Sequence, residues 1–301
     1  MRTVEMPGLI LVLLGIATVA LYVSAESENT RQLDCGSAKK LGRFNPVSDL
    51  LVANFDNKPD TDDLLAAAGL ATMLRDQRFA CVRYIAVTGA YGEGPERVTG
   101  KARAWHYIEV RTLFDLAFPG HWADAHSDHA GTVDSVTESA LETVHAGGDV
   151  WIMEAGQSDL TASVALRLSE LDPSINLRSR VHLVQHSDVN ELLTTPAALA
   201  HVRNHLDYIS IANGNIAGNG TPGFKTSGGA VWPALLRDPN VGPVWVEAQR
   251  LALNNNGKAG HTNETIAAGG LDFSDLVAAA YIFGFEDLAD VHGFVDEFVT
   301  P

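Results

Sequence analysis

Five apolar runs of β character, at residues 50–55, 82–88, 150–154, 180–185 and 207–212, alternate along this chain with helical patterns at 63–75, 96–114, 135–146, 159–171 and 195–205. Strands that are joined through helices pair in parallel, and the crossover helices cover the faces of the sheet. The expected fold is therefore α/β, a mostly parallel open sheet with helices on both faces. In such sheets the carboxyl ends of the strands share one rim, where ligands bind. Five segments reach that rim: the turn after residue 55, GAYGEG at 89–94, EAGQSD at 154–159, HSDVNE at 186–191 and NGNIAGNG at 213–220. All are rich in Gly, Asn, Asp or Glu, small residues that admit a ligand to the backbone and polar ones that read hydroxyl groups.

The first rim segment lies inside LLVANFDNKPDTDDLLAAAGLATML, residues 50–74, and carries Asp56, Asp60, Asp62 and Asp63. Four carboxylates within eight residues raise one another's pKa values unless a cation, a basic side chain or helix amides offset them. Capping of the following helix explains Asp60 or Asp62 but not all four, so this turn is the leading candidate for a ligand or metal site.

The same residues carry a resemblance. Asp56, Pro59, Asp62 and Asp63 align with the DxDxGxDD signature, and the chain resembles the nucleoside hydrolase-like superfamily over roughly residues 48–285. YIAVTGAYGEGPERVTGKARA at 84–104, DVWIMEAGQSDLTASVALRL at 149–168 and LDFSDLVAAAYIFG at 271–284 extend it at the level of pattern. The resemblance implies a calcium site made by Asp56, Asp63, Asp275 and the Ala155 carbonyl, in keeping with the six to eight oxygens calcium takes. It also implies a water-activating carboxylate and asparagines that hold sugar hydroxyls. Two positions depart from the signature: Lys58 replaces the second aspartate, a calcium ligand and the usual base, and Asp60 replaces the glycine. Asp56, Asp60 or Asp62 would then supply the base. Lys58 either takes the place of the cation, contacting the substrate with calcium absent, or points away and calcium remains. Asn190, Glu191, Asn213, Asn215 and Asn219 are the candidates for contacting a small-molecule substrate through its sugar hydroxyls, although Asn and Gly are also ordinary turn formers. Ser274 stands where many family members have a histidine that protonates the leaving base, and caps the following helix in the plainer reading.

The implied activity is that of an exported hydrolase cleaving an N-glycosidic or related bond in a ribosyl or other sugar-containing substrate. A non-catalytic nucleoside- or carbohydrate-binding protein on the same fold is the alternative that Lys58 favours. A third reading rests on GHWADAHSDHAG, where His121, His126 and His129 with Asp124 and Asp128 offer zinc ligands; the spacing matches no HExxH helix, and a solvated loop is the simpler expectation. GNGTPG at 218–223 matches GxGxxG but lies late in the chain, with Pro222 better suited to a loop than to a dinucleotide-binding turn. No GxSxG elbow is present.

The formal charge of −16 argues against binding nucleic acid or an anionic membrane surface and is compatible with cation binding. The first 25 residues, with Arg2, an apolar stretch from Pro7 to Val23 and Val23-Ser24-Ala25 before the cleavage point, read as a secretory signal peptide, with an uncleaved membrane anchor as the alternative. Either one exports the globular part, to the periplasm or beyond. Residues 26–48 read as a spacer and 49–301 as one domain. Cys35 and Cys81 form a disulfide, or Cys81 stays a buried thiol in FACVRYIAV. The oligomeric state is open, a homo-oligomer included.

Overall fold

The computed structural model describes residues 35–58, 60–92, 107–216, 218–258 and 261–299. The leader and Pro59 lie outside them, as does most of the helix expected at 96–114. The strands are β1 (Leu50–Phe55), β2 (Arg83–Thr88), β3 (Trp122–Asp124), β4 (Val150–Glu154), β5 (Val181–Gln185), β6 (Asp207–Ser210), β7 (Lys225–Thr226) and β8 (Leu271–Asp272). The helices among the described residues are α1 (Asp62–Arg75), α2 (Arg111–Ala117), α3 (His129–His145), α4 (Asp159–Leu171), α5 (Asp188–Leu193), α6 (Pro196–His205), α7 (Trp232–Arg237), α8 (Gly242–Asn255), α9 (Glu264–Ala267), α10 (Val277–Phe283) and α11 (Val291–Phe298).

Six strands form one sheet in the order β3-β2-β1-β4-β5-β6, every pair parallel, while β7 and β8 form a separate antiparallel pair. Side chains alternate between two apolar layers, as the pleat requires. Leu51, Ala53 and Phe55 of β1 enter one core with residues of α1, α2, α8 and α10. Leu50 and Val52 enter the other with residues of α3, α4 and α6. The sheet is thus covered on both faces, as its sequence predicts. The chain runs outward from β1 through β2 to β3, then returns beside β1 as β4. The loops after β1 and β4 consequently diverge at the rim and open a crevice between them.

Several expected boundaries shift for identifiable reasons. β3 lies within the segment expected to be a solvated loop: it is only three half-buried residues at the sheet edge, paired to Ala86–Thr88. α3 begins at His129 rather than 135 because Asp128 caps it, accepting from the Gly131 amide at 2.9 Å. Residues 107–110 are not helical, and the Ile108 amide donates to the Asn57 carbonyl at 3.3 Å. From the fourth rim segment the chain enters α5, separated by Thr194 and Thr195 from α6, which Thr195 caps by accepting from the Ala198 amide and which opens on Pro196. The stretch expected to be a spacer is packed where it is described. Phe44 is fully buried, the Arg43 amide donates to Ile282 O, and Cys35 is bonded to Cys81 with 5.5 Å between their Cα atoms.

Candidate functional site

The turn after β1 owes its shape to Asn57, whose φ of 54° lies in the left-handed region that Asn tolerates better than most residues. Its amide donates to Asp63 Oδ2 at 3.3 Å and its side chain to Thr88 Oγ1 at 2.8 Å, folding the acidic turn back over the sheet. Asp62 and Asp63 form the first turn of α1, where the helix dipole favours negative charge. The last contributor arrives from far along the chain. The 3₁₀ turn Ser274–Leu276 packs against α1 and delivers Asp275.

Asp62, Asp63 and Asp275, all buried, each place a carboxylate oxygen within 4.8 Å of the others. Among the described residues this is the one set of three acidic, imidazole or thiol groups close enough to share a metal ion. Burial, and then the neighbouring carboxylates, push Asp62 and Asp63 well above the usual carboxylate range. Burial also raises Asp275 to about 6, a rise that its hydrogen bond with His186 restrains. Asp63 Oδ1 is buried without a hydrogen-bond partner. An oxygen left so, between carboxylates that burial and repulsion disfavour as anions, is what a bound cation would relieve. The residues present therefore fit a metal ion; they do not choose which.

A cavity of about 240 Å³ opens over the triad. Asp56, Lys58, Asp60 and Ala155 line it from the β1 and β4 sides, and Asn190, Asn213 and Asn215 from the β5 and β6 sides. Asp56 is also raised by burial, although a hydrogen bond with Asp63 and the charge of Lys58 oppose the rise. Its oxygens accept from the Lys58 amide at 3.1 Å and from Gln157 Nε2 at 2.8 Å. The approach of the β4 turn depends on Gly156, since a Cβ there would lie 2.6 Å from Asp56 Cβ and 2.9 Å from Ala90 O. Asp60 is different in kind. Burial alone would raise it, but the hydrogen bond and charge of His261, the Thr61 amide and Asn263 hold it below the ordinary range. His261 Nε2 stands 2.9 Å from its Oδ2.

Lys58 packs against an aromatic ring beside the acidic turn. Its side chain is buried with Nζ 3.0 Å from the centre of the Tyr91 ring, in the electrostatic reach of Asp56, Asp159 and Asp63. Burial outweighs that attraction and lowers its pKa to about 6.

Three candidates lie outside the lining. Glu191 is spent on its own neighbourhood, accepting from Tyr208 Oη at 2.7 Å and from Arg203 at 2.8 Å. Asn219 is exposed and ties the loop to the Asn213 carbonyl at 2.8 Å. Ser274 is fully buried, its Oγ without a hydrogen-bond partner. The histidines of the 121–129 segment do not converge either. His126 stacks on Tyr107 with 4.0 Å between ring centres and hydrogen-bonds Tyr91 Oη through Nδ1, His121 packs beside Tyr84, and His129 opens α3.

Sequence reasoning passed over His186, His261 and Gln157. His186 is a buried lining residue whose Nδ1 lies 3.0 Å from Asp275 Oδ1. Its position in HSDVNE, directly after a strand at the carboxyl rim, was the available signal. Gln157 carries the same mark, in EAGQSD after β4, whereas His261 carries none. The chain matches no known protein family, no curated protein and no solved structure.

Proposed function

We propose that this chain is an exported, cation-dependent hydrolase of the nucleoside hydrolase-like kind, acting on an N-glycosidic or related bond of a sugar-containing small molecule. The observation that carries this reading is the buried Asp62/Asp63/Asp275 triad at the floor of a cavity ringed by asparagines. The resemblance of the acidic turn to DxDxGxDD adds to it, as does the disulfide, which belongs to an oxidising compartment. No helix among the described residues is long and apolar enough to cross a membrane.

In this reading Asp62, Asp63 and Asp275 hold the ion, with the Ala155 carbonyl and water filling the shell, and calcium is the choice for an all-oxygen site. A bound divalent ion would orient and polarise a coordinated water, and a carboxylate base would still have to take its proton. The protein groups do the rest. Asp62 is the proposed base in preference to Asp60, because Asp60 is already held ionised by His261, Asn263 and the Thr61 amide. Asp56 orients the water. Asn213 and Asn215 read hydroxyls from the opposite wall: Asn213 Oδ1 accepts from both the amide and the side chain of Asn215 at 2.9 Å, which fixes the pair relative to each other.

A second reading is favoured by Lys58, a buried amine within the electrostatic reach of Asp56 and Asp63. In it the site binds a nucleoside or carbohydrate without turning it over. Release of free sugar from a panel of nucleosides and aryl glycosides, with calcium or chelator, separates the two. Calcium-dependent release that Asp62→Asn abolishes supports the hydrolase. Saturable binding of the same compounds with no release supports the binding protein.

A further inference from the structure

The cavity has two functional walls, the carboxylates of the β1–α1 turn with Asp275, and the Asn213–Asn215 loop after β6. One side chain touches both. His186 is buried, its Nδ1 stands 3.0 Å from Asp275 Oδ1, and its Nε2 accepts a hydrogen bond from the Gly214 amide at 2.9 Å. An accepting Nε2 carries no proton, so the neutral ring bears its proton on Nδ1 and donates it to Asp275. A planar imidazole bonded at both nitrogens is a rigid strut between one candidate cation ligand and the middle of one candidate hydroxyl-reading loop.

The surroundings leave the strut little play. Gly214 is pressed onto the turn that carries Asp275: a Cβ at this position would lie 2.5 Å from both Ser274 O and Val277 Cγ1. On its own backbone, the His186 carbonyl accepts from Asn190 Nδ2 at 2.8 Å, and the same amide group donates to Ala155 O at 3.2 Å. Movement of Asp275 is therefore transmitted to Gly214 through the ring and to the β4 turn through Asn190. His186 also occupies Asp275 Oδ1, which leaves Oδ2 as the oxygen free to face an ion.

We propose that His186 is a positioning residue that couples the cation site to the 213–215 loop, so that filling the site with a divalent ion orders the loop that reads the substrate. The inference rests on the cation site of the proposed function. Two sites joined by one element that both bias are thermodynamically linked, and the linkage is reciprocal.

The test uses the full chain, stripped with chelator and then titrated with calcium alone. Hydrogen exchange is followed at residues 211–220 and at the start of α1 in the wild type, His186→Ala and the more conservative His186→Gln. In the wild type calcium slows exchange at both places. In His186→Ala calcium binds about tenfold or more weakly. At saturation it still protects the start of α1 but leaves 211–220 unchanged, and His186→Gln restores part of the loop response. A purely structural role would loosen the loop equally with and without calcium, and that result overturns the proposal. Should His186→Ala fail to fold, the wild type alone decides through its nuclear magnetic resonance spectrum. The His186 ring nitrogens and the Gly214 amide shift together with calcium if the strut operates, and a Gly214 amide indifferent to bound calcium overturns it. A wild type that binds no calcium overturns the cation site itself, and is distinguishable from calcium bound without a loop response, which overturns the coupling alone.

Discussion

Asp62, Asp63 and Asp275 are acids that the fold makes poor anions, and that is a statement about binding as well as about titration. A ligand carboxylate must be deprotonated to bind a metal, so a site whose acids are raised releases protons when it fills. Asp275 is raised to about 6 and the other two stand well above the usual range. Calcium affinity should therefore climb between about pH 5 and about pH 7, by roughly tenfold per unit for each proton displaced. Lys58, lowered to about 6, loses its competing charge over the same range and works in the same direction. Titrations in buffers of different ionisation heat measure the protons released, and an affinity flat across that range would contradict the assignment. Glu154, buried at the end of β4 and bonded to Asn54 and Thr161, gives a second residue-scale prediction. Burial raises it from 4.5 to about 8. A carboxyl raised in the folded state contributes stability that is complete below the unfolded value and is lost as pH rises through the folded one. Glu154→Gln should therefore gain stability relative to the wild type between pH 4.5 and about 8, by on the order of a few kcal/mol. Urea denaturation at several pH values checks it; a constant difference between the two proteins would refute it.

Elements whose causes are local in sequence were legible, and those whose causes are tertiary were not. β1 and α1 emerge from an apolar run, an acidic turn and a helical pattern within 26 residues, Leu50 to Arg75, and both stand where the sequence puts them. β3 is three residues long and half-buried at an edge, so it carries neither the length nor the apolar content that mark a strand. The acidic wall of the cavity was visible because four of its carboxylates are neighbours in sequence. The strut from His186 to Gly214 was not, since its partners lie 89 and 28 residues away. The cysteines were legible only as an alternative, and the pairing ties the short 3₁₀ turn Cys35–Ser37 to the start of β2 across 46 residues. Closing a loop of that length removes about 4 kcal/mol of freedom from the unfolded chain on the entropic account. Replacing both cysteines by serine should lower stability by about 2–4 kcal/mol with the sheet intact. Thermal unfolding under oxidising and reducing conditions measures the difference, and an unchanged midpoint would show that the link constrains nothing.

At the scale of the molecule, the strand order puts the site where it is. β1 and β4 are neighbours in the sheet though far apart in sequence, and the crevice between their diverging loops admits the Asp275 turn and His186 to the acidic residues of the β1–α1 turn. A cluster of buried acids in that crevice, with an orphaned Asp63 oxygen, is costly to the fold unless something cationic offsets it. In the proposed function a divalent ion does so. Isothermal titration of calcium into the chelator-treated chain and its Asp63→Asn variant tests this. One ion per chain with proton release in the wild type, weakened more than about tenfold in a variant of unchanged circular dichroism, is the predicted result. No binding by the wild type, or equal binding by the two, would contradict it.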